Sequence, residues 1–153
     1  GLIGRELVNQ LIANKQNSLT LILRKNKVFK KSKNLKIIIE KNLSKKDKLW
    51  WAKKIDSQDF VYHLAWSVKD KNYLKNYKNI ECLNMSLNIA LASKNKVKNF
   101  ISLGTCLEYK KSNKVLSNSS NVNPESLYAS CKLSTFYIIK AYRYKYVVVC
   151  GRI

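Results

Sequence analysis

Glycine and proline are scarce, with four glycines and one proline in 153 residues. No internal repeat or interdomain linker breaks the chain, and its length fits one domain, residues 1–153, with one core. One histidine, His63, and four scattered cysteines (Cys82, Cys106, Cys131, Cys150) without a C-x-x-C pair offer no metal-ligand cluster, so no metal is expected. Free buried thiols in a reducing compartment are the expected state. No apolar run approaches ~18 residues, which argues against a membrane span. Arg5 and Glu6 put charge where a signal peptide needs an apolar core, so a cytoplasmic location is expected. Acids are few: nine Asp and Glu stand against 30 Lys and Arg, a formal charge of +21. Such a charge suits nucleic acid or an anionic surface. Yet arginine is rare, and the lysines are spread over Lys25–Lys36, Lys45–Lys54, Lys69–Lys78 and Lys94–Lys98, interleaved with asparagine. We read them as a Lys/Asn/Ile coding bias on solvated faces, and keep a basic nucleic-acid-binding protein as the least favoured function.

What is present is an alternating pattern. Hydrophobic residues make up 46% of the chain, enough for a packed core. Leu2 to Lys15 has helical apolar spacing, followed by short strands at Leu19–Leu23 and Leu35–Ile39. Ser44 is the expected N-cap of a helix over Lys45–Ile55. Asp59–Ala65 is a third strand, apolar enough to predict burial on both faces. A helix over Tyr73–Ser93, a strand over Val97–Leu103, a polar loop from Lys110 to Asn123, a helix over Leu127–Tyr146 and a strand over Tyr146–Cys150 complete the chain. Strands alternating with helices predict an α/β fold with a parallel sheet covered on both sides.

The chemistry is expected at Pro124–Lys132, where Tyr128 and Lys132 stand four apart at the start of a helix. Residues i and i+4 share a helix face, about 5–6 Å apart at Cβ. A tyrosine titrates near 10, and a nearby ammonium would lower that value towards what a general acid/base needs. With nine tyrosines and 30 basic residues, an exposed chance pair is the bland alternative. Thr105 follows Gly104 at the end of an apolar strand, where its hydroxyl should emerge at the carboxyl edge of the sheet or simply cap a loop.

These features stand in an order that resembles the NAD-dependent epimerase/dehydratase family, the extended short-chain dehydrogenase/reductases. Gly1-Leu-Ile-Gly4 resembles the last two glycines of its G-x-x-G-x-x-G loop, and Asp59-Phe-Val-Tyr-His-Leu-Ala65 its D-V-V-x-H-L-A strand. Asn84 stands where the family has a helical asparagine. Phe100–Thr105 resembles the strand ending in the catalytic serine or threonine, and Tyr128 with Lys132 the Y-x-x-x-K pair. The resemblance covers nearly the whole chain and implies a Rossmann-like doubly wound sheet that binds NAD or NADP. Glycines at a helix start let backbone N–H groups approach a pyrophosphate; the alternative for Gly1 and Gly4 is a frayed chain end. Leu64 and Ala65 would lie against the cofactor, with Asn84 close to it or facing solvent. His63 is read as a hydrogen-bonded structural residue.

The mechanism implied is hydride transfer at a sugar carbon of a nucleotide-linked sugar. Tyr128 shuttles the proton, Lys132 holds the nicotinamide ribose and lowers the tyrosine pKa, and Thr105 orients the substrate. Family dehydratases carry Asp-Glu directly after the serine or threonine. Here those positions are Cys106-Leu107, which argues against dehydration and leaves an epimerase or a ketosugar reductase. No role is assigned to Glu108. Arg24-Lys25 ends the Leu19–Leu23 strand and favours NADP modestly over NAD, since a base there accommodates a 2′-phosphate. The resemblance admits a homodimer. It also implies that the family's first strand, central in a 3-2-1-4-5-6 sheet, and the C-terminal substrate domain lie outside these 153 residues, so we expect poor stability and no turnover from this chain alone. A dinucleotide-binding sensor or scaffold without catalysis is the alternative function.

Overall fold

The computed structural model describes residues 1–25, 29, 32–142 and, for the backbone alone, 145–149. Its contacts fall into two compact units, Gly1–Leu43 and Ser44–Ile153, and each is described by itself. The five strands form two ladders, ordered β1-β2 and β3-β4-β5, and every pairing is parallel. Those are the orders the resemblance implies for each half.

In the first unit, α1 (Leu2–Ala13) buries Val8 and leads through Asn14–Asn17 into β1 (Leu19–Leu23). β1 pairs with β2 (Leu35–Ile39) from Leu19 opposite Leu35 to Leu23 opposite Ile39. Asn34 ties the strand starts together, its amide donating to the Asn17 carbonyl at 2.8 Å and the Asn14 carbonyl at 3.3 Å. Local amide bonds of this kind are why asparagine favours turns over helix interiors.

A 3-10 turn over Leu43–Lys45 precedes the expected second helix. That helix, α2, spans Lys48–Ile55, and its N-cap is Asp47, not Ser44. The Asp47 carboxylate accepts from the Trp50 N–H at 2.8 Å, while the Ser44 hydroxyl donates to Glu81 at 3.2 Å. Asp47 and Ser44 are both good caps; the 3-10 turn decides between them.

The sheet of the second unit comprises β3 (Phe60–His63), β4 (Asn99–Thr105) and β5 (Lys145–Val149). Parallel neighbours need crossovers, supplied by α3 (Lys78–Ser93) and α4 (Leu127–Ala141), which pack on each other. Their shared core holds Met85, Ile89, Ala90, Phe100, Cys131 and Ile139. Small hydroxyls at Ser86, Ser93 and Thr135 satisfy themselves on carbonyls four residues back, at 2.8–2.9 Å, and so can be buried there.

Other bounds also differ from expectation: α1 ends at Ala13, β3 is Phe60–His63 rather than Asp59–Ala65, and β4 is Asn99–Thr105 rather than Val97–Leu103. α3 starts at Lys78 because turns anchored by Asp70 and Asn72 occupy the preceding stretch. α4 ends at Ala141, and β5 starts at Lys145, with Cys150 outside the described residues. β3 is not buried on both faces: period two puts Phe60 and Tyr62 on one face, 50% and 38% exposed and stacked on each other. Among the described residues, Cys82 and Cys131 are buried and Cys106 is half-exposed, and none of the three is in a disulfide. No described helix is long and apolar enough to cross a membrane.

Candidate active site

β4 ends at Thr105, and the chain turns at once into a 3-10 turn, Cys106–Glu108. A capping box makes that turn. The buried Glu108 carboxylate accepts from the Thr105 N–H at 2.8 Å, and the Thr105 hydroxyl oxygen accepts from the Leu107 N–H at 3.4 Å. Thr105-Cys-Leu-Glu108 is the S/T-x-x-E signature, so a role for Glu108 was present in the sequence. The Glu108 carboxylate is therefore engaged in fixing the backbone at Thr105.

Ser126 caps α4 by accepting from the Ala129 N–H at 3.2 Å, which places Tyr128 in the first turn and Lys132 one turn later. The Tyr128 N–H donates to the Leu74 carbonyl at 3.0 Å, anchoring this end of α4 to the segment before α3. Its phenol lies near enough to the Thr105 hydroxyl to be influenced by it. Thr105 and Tyr128 are thus brought together at the carboxyl end of β4, the edge where open α/β sheets take ligands.

Lys132 is 6% exposed, and its ammonium donates to the Leu103 carbonyl at 2.5 Å. Burial pushes its pKa down to about 8, against the opposing pull of the nearby Glu108 and Cys82. Tyr128 does not follow the expectation of a lowered pKa. Burial moves it above its ordinary value, the Thr105 hydroxyl pulls the other way, and Tyr73, Glu108 and Cys106 add to the rise. The ammonium is held at Leu103 and is itself desolvated, so it does not offset the phenol's burial.

One residue the sequence reading passed over sits among these groups. Trp66 follows Ala65 beyond β3, with the Lys132 ammonium 4.2 Å from its ring centroid and Tyr128 edge-on at 6.1 Å. Its indole N–H donates to Asn79 Oδ1 at 2.9 Å. Its position just past a strand's carboxyl end was the available signal. Asn79 is 1% exposed, whereas Asn84, the asparagine expected near the cofactor, is exposed on α3 and no described contact joins it to this cluster.

His63 ends β3, buried, its Nε2 2.7 Å from the Ser86 hydroxyl. Burial first, and the Lys132 charge second, push it down to about 3. It is a neutral, hydrogen-bonded residue of the core. Leu64 is half-buried and Ala65 exposed beside it, leaving backbone open at the end of β3. Gly1, Gly4 and Arg24 belong to the first unit. Gly1 caps α1 and Gly4 lies in its first turn, where a Cβ on Gly1 would meet nothing within 4 Å. Arg24 is exposed directly after β1. No group of three or more His, Cys, Asp or Glu that could hold a metal occurs among the described residues.

A model of the NAD dependent epimerase/dehydratase family matches residues 1–153. No curated protein gives a match. Among solved structures, the chain is similar to the UDP-N-acetylglucosamine 4-epimerase of Methanobrevibacter ruminantium, with 28% identity and a TM-score of 0.75 over 97% of this chain and 50% of that one. The UDP-glucuronic acid 4-epimerase of Bacillus cereus, in complex with NAD, matches at 22% identity and TM-score 0.73, over 97% and 52%. WbmG of Bordetella bronchiseptica, also in complex with NAD, matches at 20% and 0.77, over 97% and 49%. The latter two identities speak for the fold alone. The chain spans about half the length of these proteins.

Proposed function

The chain belongs to the NAD dependent epimerase/dehydratase family, and on that premise we propose that it carries the cofactor-binding and acid–base part of a nucleotide-sugar epimerase. The observation that carries this reading is the convergence of Thr105, at the carboxyl end of β4, with Tyr128 in the first turn of α4 and Lys132 one turn further along it. The UDP-sugar epimerases among the similar structures support a UDP-linked sugar as substrate.

The residues present fit an NAD-type dinucleotide. Lys132 offers a cation one helical turn from the phenol, and the exposed Ala65 leaves backbone open at the end of β3. In this reading Lys132 holds the nicotinamide ribose and the backbone at Leu64–Ala65 lies along the cofactor. NAD supplies the hydride acceptor and donor when bound. Tyr128, kept protonated by its buried setting, gives its proton to the sugar oxygen as a carbonyl becomes a hydroxyl, and takes it back in the reverse direction. Thr105 holds that oxygen beside the phenol. The capping box fixes Thr105, so its hydroxyl is set before substrate arrives.

The exposed Arg24 supports NADP as the cofactor, and the NAD in similar structures supports NAD. An epimerase returns its hydride and consumes no reduced cofactor, whereas a ketosugar reductase consumes it stoichiometrically. Incubating the gene product with UDP-N-acetylglucosamine or UDP-glucuronic acid and NAD, and following C4 configuration by NMR, tests the reading. Epimerisation without net NADH, lowered about 10²–10⁴-fold in Tyr128→Phe, is the expected result. Stoichiometric oxidation of NADPH by a 4-ketosugar would replace epimerase with reductase. Undiminished turnover in Tyr128→Phe would remove the acid–base assignment.

A further inference from the structure

Trp66 touches both members of the acid–base pair, and its own orientation is set by a buried anchor. Asn79 Oδ1 accepts the indole N–H, while the Asn79 amide donates to the Tyr73 carbonyl at 2.6 Å and the Asn76 carbonyl at 2.8 Å. Three hydrogen bonds on a side chain that is 1% exposed leave Asn79 little freedom, so the indole plane is fixed from behind. The ammonium of Lys132 lies over the ring at 4.2 Å, and the Tyr128 ring meets it at 85°. Tyr73 packs on the other side of Tyr128 at 5.1 Å and 80°, and its carbonyl is one of the Asn79 acceptors.

We propose that Trp66 is a positioning residue for the reaction: its face holds the Lys132 ammonium and its ring packs against Tyr128, so that cation and phenol keep one spacing before cofactor or substrate binds. The inference rests on the epimerase reading of Tyr128 and Lys132. A lysine stem is rich in rotamers, and a tryptophan face is the strongest aromatic partner for a cation. The Leu103 carbonyl fixes one direction of the ammonium, and the indole face fixes another. Ordinary packing would need only the ring's volume. Positioning needs its electron-rich face.

Fluorination separates the two, because it withdraws charge from the indole face and nearly preserves its shape. Fluorotryptophans of increasing substitution would be placed at position 66 alone, with the Lys132 side chain followed by NMR as pH is raised and unfolding monitored in parallel. The groups facing Lys132 are Glu108 after β4, Cys82 on α3, His63 on β3 and Tyr128 on its own helix. None is altered by the substitution. The expected result is a Lys132 midpoint that falls stepwise, by about 0.5–1.5 pH units across the series, at unchanged melting temperature. In the gene product, kcat should fall with it while the KM for the sugar holds. An unmoved midpoint overturns the inference and leaves Trp66 as packing. A falling midpoint in a protein that binds neither NAD nor NADP overturns the epimerase reading beneath it. NAD binding with an unmoved midpoint overturns the positioning role alone. Trp66→Phe, which keeps a face but loses the Asn79 bond, should lie between the native protein and Trp66→Leu.

Discussion

Gly1–Leu43 and Ser44–Ile153 contain the same kinds of element, yet only the second is built around a core. Among the described residues, the first unit gives Val8 and Leu43 to the buried apolar set, while the second gives Trp51, Ile55, Met85, Ile89, Phe100, Leu133, Ile139 and others. β2 leaves Ile37 and Ile39 exposed, whereas β4 buries Phe100, Ser102 and Thr105. Regular structure follows from local pattern, but rigidity comes from packing. The Thr105, Tyr128 and Lys132 side chains all stand on the packed unit, which is where geometry held to a fraction of an ångström can be kept.

This contrast can be broken first at the core. Phe100→Ala should cost about 3–5 kcal/mol, since it opens a cavity at a fully buried ring, whereas Val8→Ala should cost about 1 kcal/mol; paired urea melts give both values. Equal costs would contradict the claim that only the second unit is built around a core.

An effect of comparable total size, spread over several pH units, is expected from acid. The pKa of His63 is about 3 when folded against its ordinary 6.5, so between those pH values the unfolded chain binds the proton and the folded one does not. Stability therefore falls as pH drops from about 6.5 towards 3, by up to about 1.4 kcal/mol per unit. As the sole histidine, His63 is also a single NMR reporter, and its ring should stay neutral at pH 5. The smallest effect is at α2, where Asp47→Ala should cost about 1 kcal/mol and Ser44→Ala only a few tenths. Thermal melts of the two variants check that order.

The two strands of the first unit, Leu19–Leu23 and Leu35–Ile39, were legible to the residue because apolar runs bounded by asparagine and charge state their own limits. The order of the nine main elements among the described residues and the placement of Tyr128 and Lys132 one turn apart on α4 were legible too. What pattern could not supply was tertiary. Ser44 and Asp47 are equally good caps on paper. Asn79 and Asn84 differ only in which side of α3 they occupy, and nothing local says that a tryptophan after β3 meets a lysine from α4. Glu108 is the exception, since its capping box with Thr105 is a local motif.

The most direct test of the account is a fluorescence titration of the gene product with NADH and NADPH, repeated with Lys132→Met. Saturable binding of one dinucleotide, weakened about tenfold or more by loss of the ammonium, is the predicted result. Absence of saturable binding, or equal affinity in Lys132→Met, would contradict the claim that this edge of the sheet is a cofactor-dependent active site.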